Sequence, residues 1–140
     1  AGWYHYPNGN IAVDPKVEDI ICREAEAANI KRRHFSSDEI QQRLLLAMIN
    51  EAANTLNEGI AVSAADIDLV LVHGYGFPRW RGGLMHYADQ LGATLVMAEL
   101  TKLCDEDPLF WQPSRLIIDC AKTGQDFASY NDQSAKQPIL

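Results

Sequence analysis

The sequence predicts an all-α fold, a single compact domain of about five helices, from three observations. Apolar residues recur every three or four positions through most of the chain, and no segment alternates convincingly with a period of two. Capping residues, prolines and glycines bound the periodic segments. Finally, 140 residues with 47% hydrophobic content suffice for one domain with a real core, but not for two of ordinary size.

Residues 1–14 are predicted to form an extended linker arm. They carry Trp3, Tyr4 and Tyr6 and a Pro-Asn-Gly turn signal, without a helical period. Three aromatic side chains are rarely all exposed to solvent at a free terminus, so we expect further chain or a partner surface to cover this arm. The helical domain is expected over residues 15–124, with Asp14 as its first N-cap.

The longest predicted helix, about Ser37 to Glu58, is expected to be the central helix of the core. It begins at the capping box Ser36-Ser-Asp-Glu39 and ends before Gly59. The other predicted helices span residues 15–28, 64–74, 84–91, 94–104 and 113–124. Residues 125–140, which contain Ser, Asn, Gln and Lys, are expected to be a flexible tail.

A glycine-rich loop between two predicted helices is the main candidate site. Glycine adopts positive φ at low cost and proline removes a backbone donor, so this stretch needs the most unusual backbone of the chain. The residues expected to shape the loop are Gly74, Gly76, Phe77, Pro78, Gly82 and Gly83. We expect the rings of Phe77, Trp80 and Tyr87 to pin it to the core.

Charged side chains on and near this loop suggest contacts rather than catalysis. Arg79 and Arg81 could meet an anion or a partner carboxylate, or could pair with a neighbouring helix. Glu51 is expected to be partly buried and to receive a loop N–H, or to pair with Arg43 or a loop arginine. The loop lacks the preceding strand and the glycine spacing of a dinucleotide site. The two histidines that flank the loop have no third metal ligand beside them, so no metal site is predicted.

Composition excludes several classes of partner. The formal net charge of −7 and the scarcity of basic clusters argue against nucleic acid and acidic membrane surfaces. No apolar run approaches the roughly 18 residues of a membrane span. Three widely spaced cysteines predict reduced, mostly buried thiols. The final Gln137-Pro-Ile-Leu140 is not a peroxisomal signal, so a cytoplasmic location is expected.

Segments spread along nearly the whole chain carry a family resemblance. They are, in order, Gly2–Tyr6, Val13–Pro15, Arg43–Ala53, Leu56–Ile60, Asp66–Asp68, Gly74–Pro78, Arg81–Gly83 and Tyr87–Asp89. Their order and spacing resemble the C-terminal helical domain of 3-hydroxyacyl-CoA dehydrogenases, especially the second, degenerate copy in multifunctional enzymes of fatty-acid oxidation. The resemblance implies a fold like the C-terminal domain of 6-phosphogluconate dehydrogenase, and a chain that is part of a longer protein.

The resemblance also implies a division of labour. The full enzyme would oxidise 3-hydroxyacyl-CoA to 3-ketoacyl-CoA with NAD, using a separate nucleotide-binding domain and its His–Glu pair. In the family's catalytic helical copy, an asparagine before an arginine holds the substrate carbonyl, whereas here Gln42 precedes Arg43. A positioning error near 1 Å can cost on the order of a hundredfold in rate. This segment is therefore expected to be non-catalytic alone and to bind no cofactor.

The expected partners are the nucleotide-binding and first helical domains of the same enzyme, with acyl-CoA as the substrate of the whole. Apolar surface left bare in the isolated segment would favour self-association. The alternative is a free-standing helical interaction module that uses the loop aromatics with Arg79 and Arg81. A third hypothesis, CoA binding by these two arginines alone, requires that changing both to Ala abolishes CoA retention.

Overall fold

The computed structural model describes the backbone of residues 2–134 and the side chains of residues 2–130. By its internal contacts the chain forms two units, Ala1–Ser36 and Ser37–Leu140. In the described part of the chain, no helix is long and apolar enough to cross a membrane.

The first unit begins with a small hairpin that the sequence did not reveal. Strands β1 (Tyr4–His5) and β2 (Ala12–Val13) pair antiparallel on either side of a 3-10 turn at Pro7–Gly9. Two residues per strand are too few to show a period of two, which explains why the sequence suggested only an extended arm.

Helix α1 (Pro15–Ala27) completes the first unit. Its predicted cap is confirmed, because the Asp14 carboxylate accepts the Lys16 N–H at 3.0 Å. The helix buries none of its residues. The contacts within the chain place this helix in the same unit as the N-terminal hairpin. The sequence instead predicts a helical domain that begins at residue 15, and this domain boundary stays a prediction.

Six helices form the second unit within the described residues. They are α2 (Ser37–Asn57), α3 (Ala64–Gly74), α4 (Leu84–Leu91), α5 (Ala93–Leu103), α6 (Arg115–Thr123) and α7 (Phe127–Ser134). The first five lie within two residues of their predicted bounds, and the all-α class is confirmed.

Helix α2 is the centre of the second unit, as predicted, and contacts α4, α5 and α6. Its inward side chains follow the helical period. Leu46, Ile49, Ala53 and Leu56 are all 4% exposed or less. Burying a large apolar side chain of this kind contributes about 1.5–3 kcal/mol, so this face provides much of the driving force for folding.

The predicted flexible tail is wrong over residues 127–134, where the chain forms α7. Phe127 is fully buried. The Asp89 carboxylate on α4 accepts the N–H groups of Phe127 at 2.7 Å and of Ala128 at 3.2 Å. Burial raises the pKa of Asp89, although both N–H donors oppose that shift. The remaining predicted tail, residues 135–140, lies outside the described residues, as does the C-terminal tetrapeptide behind the expected cytoplasmic location.

All three cysteines are free, but only Cys120 is buried, whereas Cys22 and Cys104 are partly exposed. Burial raises the pKa of the Cys120 thiol, and nearby Asp89 raises it further. A protonated thiol is a poor nucleophile, so Cys120 is a packing residue.

Candidate functional site

The glycine-rich loop at residues 74–83, called the glycine loop below, is anchored at its start by one ring. Phe77 is 8% exposed, and its N–H donates to the Leu71 carbonyl on α3 at 3.0 Å. A 3-10 turn at Arg79–Arg81 follows. Anchoring by Phe77 is confirmed, but Trp80 is 78% exposed, so its predicted anchoring is wrong. The 3-10 turn directs Trp80 away from the core.

The end of the glycine loop is fixed by Asp68 on α3. Its carboxylate accepts the N–H of Met85 at 2.6 Å and of His86 at 3.1 Å, which belong to the first turn of α4. These N–H groups have no partner inside their own helix, so Asp68 caps α4 from the side. Gly83 has a φ of 134°, and a Cβ there would lie 2.3 Å from Asp68 Cγ. Glycine is therefore required both for the backbone angle and for the close approach.

This cap shows that the glycine loop does not fit the phosphates of NAD. A dinucleotide site offers free N–H groups at a helix N-terminus to the pyrophosphate. Here the Asp68 carboxylate already accepts the N–H groups of Met85 and His86, which follow the loop. Its negative charge would also repel a phosphate. The loop also follows a helix rather than a strand.

Arg81 is held between two rings rather than paired with a neighbouring helix. Its guanidinium carbon lies 4.6 Å from the centre of the Trp80 ring and 4.5 Å from that of Tyr87. Arg79 is exposed on the same turn. Among the described residues, neither arginine has a carboxylate within ion-pair distance.

Arg43 pairs with two glutamates, neither of which is Glu51. It donates to both carboxylate oxygens of Glu106, at 2.8 and 2.6 Å, and its Nε donates to Glu39 at 3.3 Å. The hydrogen bond to Glu106 is the main cause that raises the pKa of Arg43. This bidentate pair ties α2 to the segment after α5 and is a structural contact.

The expectation that Glu51 is partly buried is wrong, because it is exposed. Successive residues of a helix are turned by about 100°. The inward position belongs to Asn50, which is 7% exposed, and this turn directs Glu51 away from the core. Its carboxylate makes no hydrogen bond or ion pair within the described part of the chain.

Gln42 is engaged inside the domain. Its amide donates to Glu99 on α5 at 3.1 Å, and Glu99 also pairs with Lys102. Gln42 also lines a groove of about 310 Å³ between α2, α4 and α5. The Gln42 side-chain amide therefore connects two helices of the same domain.

Asn50 is a structural residue that sequence reasoning missed. Its side-chain amide donates to the Gln112 carbonyl at 2.9 Å and its oxygen accepts the Ser114 N–H at 2.8 Å. Ser114 in turn caps α6 by accepting the Ile117 N–H at 3.3 Å. The available signal was an asparagine on the inward face of an apolar helix, where a polar side chain needs partners.

Replacing Asn50 with alanine is expected to destabilise the protein by about 2–3 kcal/mol, because the N–H of the buried Ser114 loses its acceptor and the Gln112 carbonyl loses its donor. Urea unfolding followed by circular dichroism measures this loss. Asn54→Ala on the same helix is the matched control, because among the described residues its side chain makes no hydrogen bond. Equal destabilisation by the two variants would contradict the assigned role of Asn50.

A large apolar groove of about 1130 Å³ lies between α2, α3 and residues 109–112. We call it the apolar groove. Its exposed apolar side chains include Met48, Ile60, Val62, Val70, Leu109 and Phe110. Its ionisable lining residues are Glu51 and Asp66, so it offers no histidine, lysine or cysteine for chemistry. The lining of the apolar groove is therefore mostly apolar, with two carboxylates.

In the part of the chain that the structure describes, no three His, Cys, Asp or Glu side chains are placed to hold a metal ion. His86 instead contacts Gln90, at 3.2 Å from its Nε2.

Comparison with known proteins gives a consistent result. The family model described as 3-hydroxyacyl-CoA dehydrogenase, C-terminal domain, matches residues 40–127. The peroxisomal bifunctional enzyme of Homo sapiens is 43% identical over 110 residues, covering 76% of this chain and 15% of that protein. The enzyme of the same name from Danio rerio is 36% identical over 102 residues, covering 71% of this chain and 14% of that protein.

A plant protein extends the match. The peroxisomal fatty acid beta-oxidation multifunctional protein of Oryza sativa subsp. japonica is 30% identical over 135 residues, covering 93% of this chain and 19% of that protein. The chain thus spans less than a fifth of the length of each of these relatives.

Proposed function

Because the chain belongs to the family of 3-hydroxyacyl-CoA dehydrogenase C-terminal domains, we propose that it is the second, non-catalytic helical domain of a multifunctional enzyme of fatty-acid β-oxidation. The full enzyme would oxidise 3-hydroxyacyl-CoA with NAD to 3-ketoacyl-CoA and NADH. The role proposed for this domain is to pack against the first helical domain and support the active site there.

The apolar groove is the observation that carries this proposal. Val62 and Leu109 on its walls are 79% and 90% exposed, and Val70 is 57% exposed. Exposed apolar side chains that are gathered in one groove are typical of a surface that contacts another domain or protein. Covering such a patch contributes roughly 25 cal/mol per Å², so a further domain seated there would be held firmly.

Two further observations favour a structural role for this domain over a catalytic one. The Gln42 amide is hydrogen-bonded to Glu99 rather than free to hold a substrate carbonyl. Asp68 caps the N-terminus of α4, directly after the glycine loop, and leaves fewer free N–H groups there for the phosphates of a dinucleotide. The proposed chemistry therefore belongs to other domains of the enzyme.

Changing Val70 to arginine in the full-length protein tests the proposal. A buried, unpaired charge in the groove is expected to loosen the domain contact and to lower NADH formation from 3-hydroxyacyl-CoA by about tenfold or more, through lost positioning. Leu69→Arg is the matched control, because Leu69 lies on the same helix with the same 57% exposure but does not line the groove. Equal rates and equal thermal midpoints for the two variants would contradict the proposal.

The cellular compartment of the full-length protein can be tested directly. The relatives named above carry the word peroxisomal in their names, whereas the sequence alone suggested a cytoplasmic location. Imaging the full-length protein in its own cells decides between a peroxisomal and a cytoplasmic location.

A further inference from the structure

A second exposed surface lies on the glycine loop, apart from the apolar groove. Its residues are Tyr75, Arg79, Trp80 and Arg81 of the loop with Tyr87 of α4, and we call it the aromatic–arginine cluster. Arg81 and Tyr87 are partly buried, and the other three are exposed. Tyr75 is 80% exposed and Trp80 is 78% exposed. Trp, Tyr and Arg are the residue types that dominate the energy of protein interfaces. No residue of the loop portion of this cluster lines either of the two grooves.

The base of the cluster is fixed before any partner arrives. The buried Phe77 ring holds one end of the loop and the Asp68 cap holds the other. A preordered surface loses little conformational entropy on binding, which favours affinity. The exposed rings therefore stand on a rigid support.

Arg81 gives the cluster its chemical preference. Its guanidinium lies within 4.6 Å of the Trp80 ring centre and 4.5 Å of the Tyr87 ring centre. These contacts restrain the position of the guanidinium, whose planar N–H fork matches a carboxylate. Within the described ranges it has no carboxylate partner, and Arg79 adds a second positive charge on the same turn. The partner that fits this cluster carries an exposed Asp or Glu.

The shape of the cluster favours a protein segment over a small anion. Small-molecule sites are concave and bury most of their ligand. Tyr75 and Trp80 instead project into solvent at 78% exposure or more, which leaves little of a small ligand enclosed. Two exposed aromatic rings beside an arginine suit a surface of matching size on another domain. The larger protein supplies one, since the chain covers only 15% of its human relative.

We infer that the aromatic–arginine cluster is a second docking surface, on which Arg81 binds a carboxylate of a segment outside residues 1–140 of the same protein. This inference rests on the proposed function, because it needs the remainder of the enzyme. It predicts that the domain is held at two places, the apolar groove and the glycine loop.

Hydroxyl-radical footprinting of the full-length protein tests the inference. Trp80 is expected to be oxidised about fivefold more slowly in the folded protein than in the urea-unfolded protein, because docking removes it from water. A folded-state rate close to the unfolded one would overturn the inference. Protection of Trp80 that appears only after adding inorganic phosphate or CoA would also overturn it, in favour of a small-anion site.

Phe110 in the apolar groove separates the two proposals in the same experiment. Protection of Phe110 with an unprotected Trp80 would leave the proposed function standing and would remove the second docking surface. Protection of Trp80 with an unprotected Phe110 would support the cluster and count against the groove.

A zero-length cross-link identifies the partner group. In the full-length Arg81→Lys variant, a carbodiimide joins the new amine to a carboxylate at ion-pair distance, with the lost water taken up by the reagent. We expect a cross-link to an Asp or Glu outside residues 1–140. Cross-links that join the new amine only to carboxylates within residues 1–140 would overturn the inference. Thr94→Lys, at an exposed site on α5, is the control and is expected to form no such cross-link.

Discussion

Replacing Phe127 with alanine is expected to destabilise the second unit by about 3–5 kcal/mol, the range for deleting a fully buried aromatic ring. Phe127 is 0% exposed and is the first residue of α7. Typical domains have only about 5–15 kcal/mol of stability, so the variant would lose a large share of its folded population. Urea unfolding followed by circular dichroism measures the change.

Phe110→Ala is the matched control, because Phe110 is 59% exposed and its truncation leaves little cavity. It is expected to change the free energy of unfolding of the isolated chain by no more than about 0.5 kcal/mol. If Phe127→Ala cost no more than Phe110→Ala, α7 would not be part of the folded unit. The flexible tail that the sequence predicts would then hold for these residues.

Replacing Gly83 with alanine is expected to cost about 3 kcal/mol or more, from two causes. The backbone at φ 134° and ψ 170° lies in a region that residues with a Cβ rarely adopt. The new Cβ would also lie 2.3 Å from Asp68 Cγ, so the carboxylate must move and lose its hydrogen bonds to Met85 and His86.

Gly59→Ala separates these causes, because Gly59 has a φ of 71° but open space around its Cβ position. It is expected to cost only about 1–2 kcal/mol, the backbone strain alone. Combining Gly83→Ala with Asp68→Ala should cost less than the sum of the single changes, because the clash and the cap are then lost together. Equal costs for Gly83→Ala and Gly59→Ala would show that the close approach to Asp68 is unimportant.

Local signals explain why most of the helices could be predicted from the sequence. Asp14 and Ser63 cap the helices that their positions indicate, and the Ser63 hydroxyl accepts the Asp66 N–H at 3.1 Å. Glycines ended the helices where expected, as Gly92 does for α4. These signals act over three or four residues, within reach of sequence reasoning.

Helix α7 and the small hairpin escaped prediction because their stabilising contacts are not local. The N-terminal N–H groups of α7 are satisfied by Asp89, which lies 38 positions before Phe127. The segment itself has a polar composition without an apolar period. A short strand pair such as Tyr4–His5 with Ala12–Val13 is likewise defined only by its pairing.

In the candidate site, too, local features could be predicted from the sequence and contacts between distant residues could not. The glycine loop and its need for positive φ at Gly76, Gly82 and Gly83 could be predicted, since residue type alone indicates it. The partners of Asp68 and Asn50 could not, because their hydrogen bonds join positions 17 to 64 residues apart. Exposure of Trp80 and Glu51 was also missed, since residue size and neighbouring apolar residues do not fix the direction of a side chain.

The dehydrogenase rate of the proposed multifunctional enzyme without this domain, measured before and after the domain is added back, tests the central claim most directly. The truncated enzyme is expected to lose most of its NADH formation from 3-hydroxyacyl-CoA, and adding residues 1–140 is expected to restore it. Adding the Val70→Arg form should fail, because its groove cannot be covered. Full activity of the truncated enzyme, or NADH formation by residues 1–140 alone, would contradict a supporting, non-catalytic role.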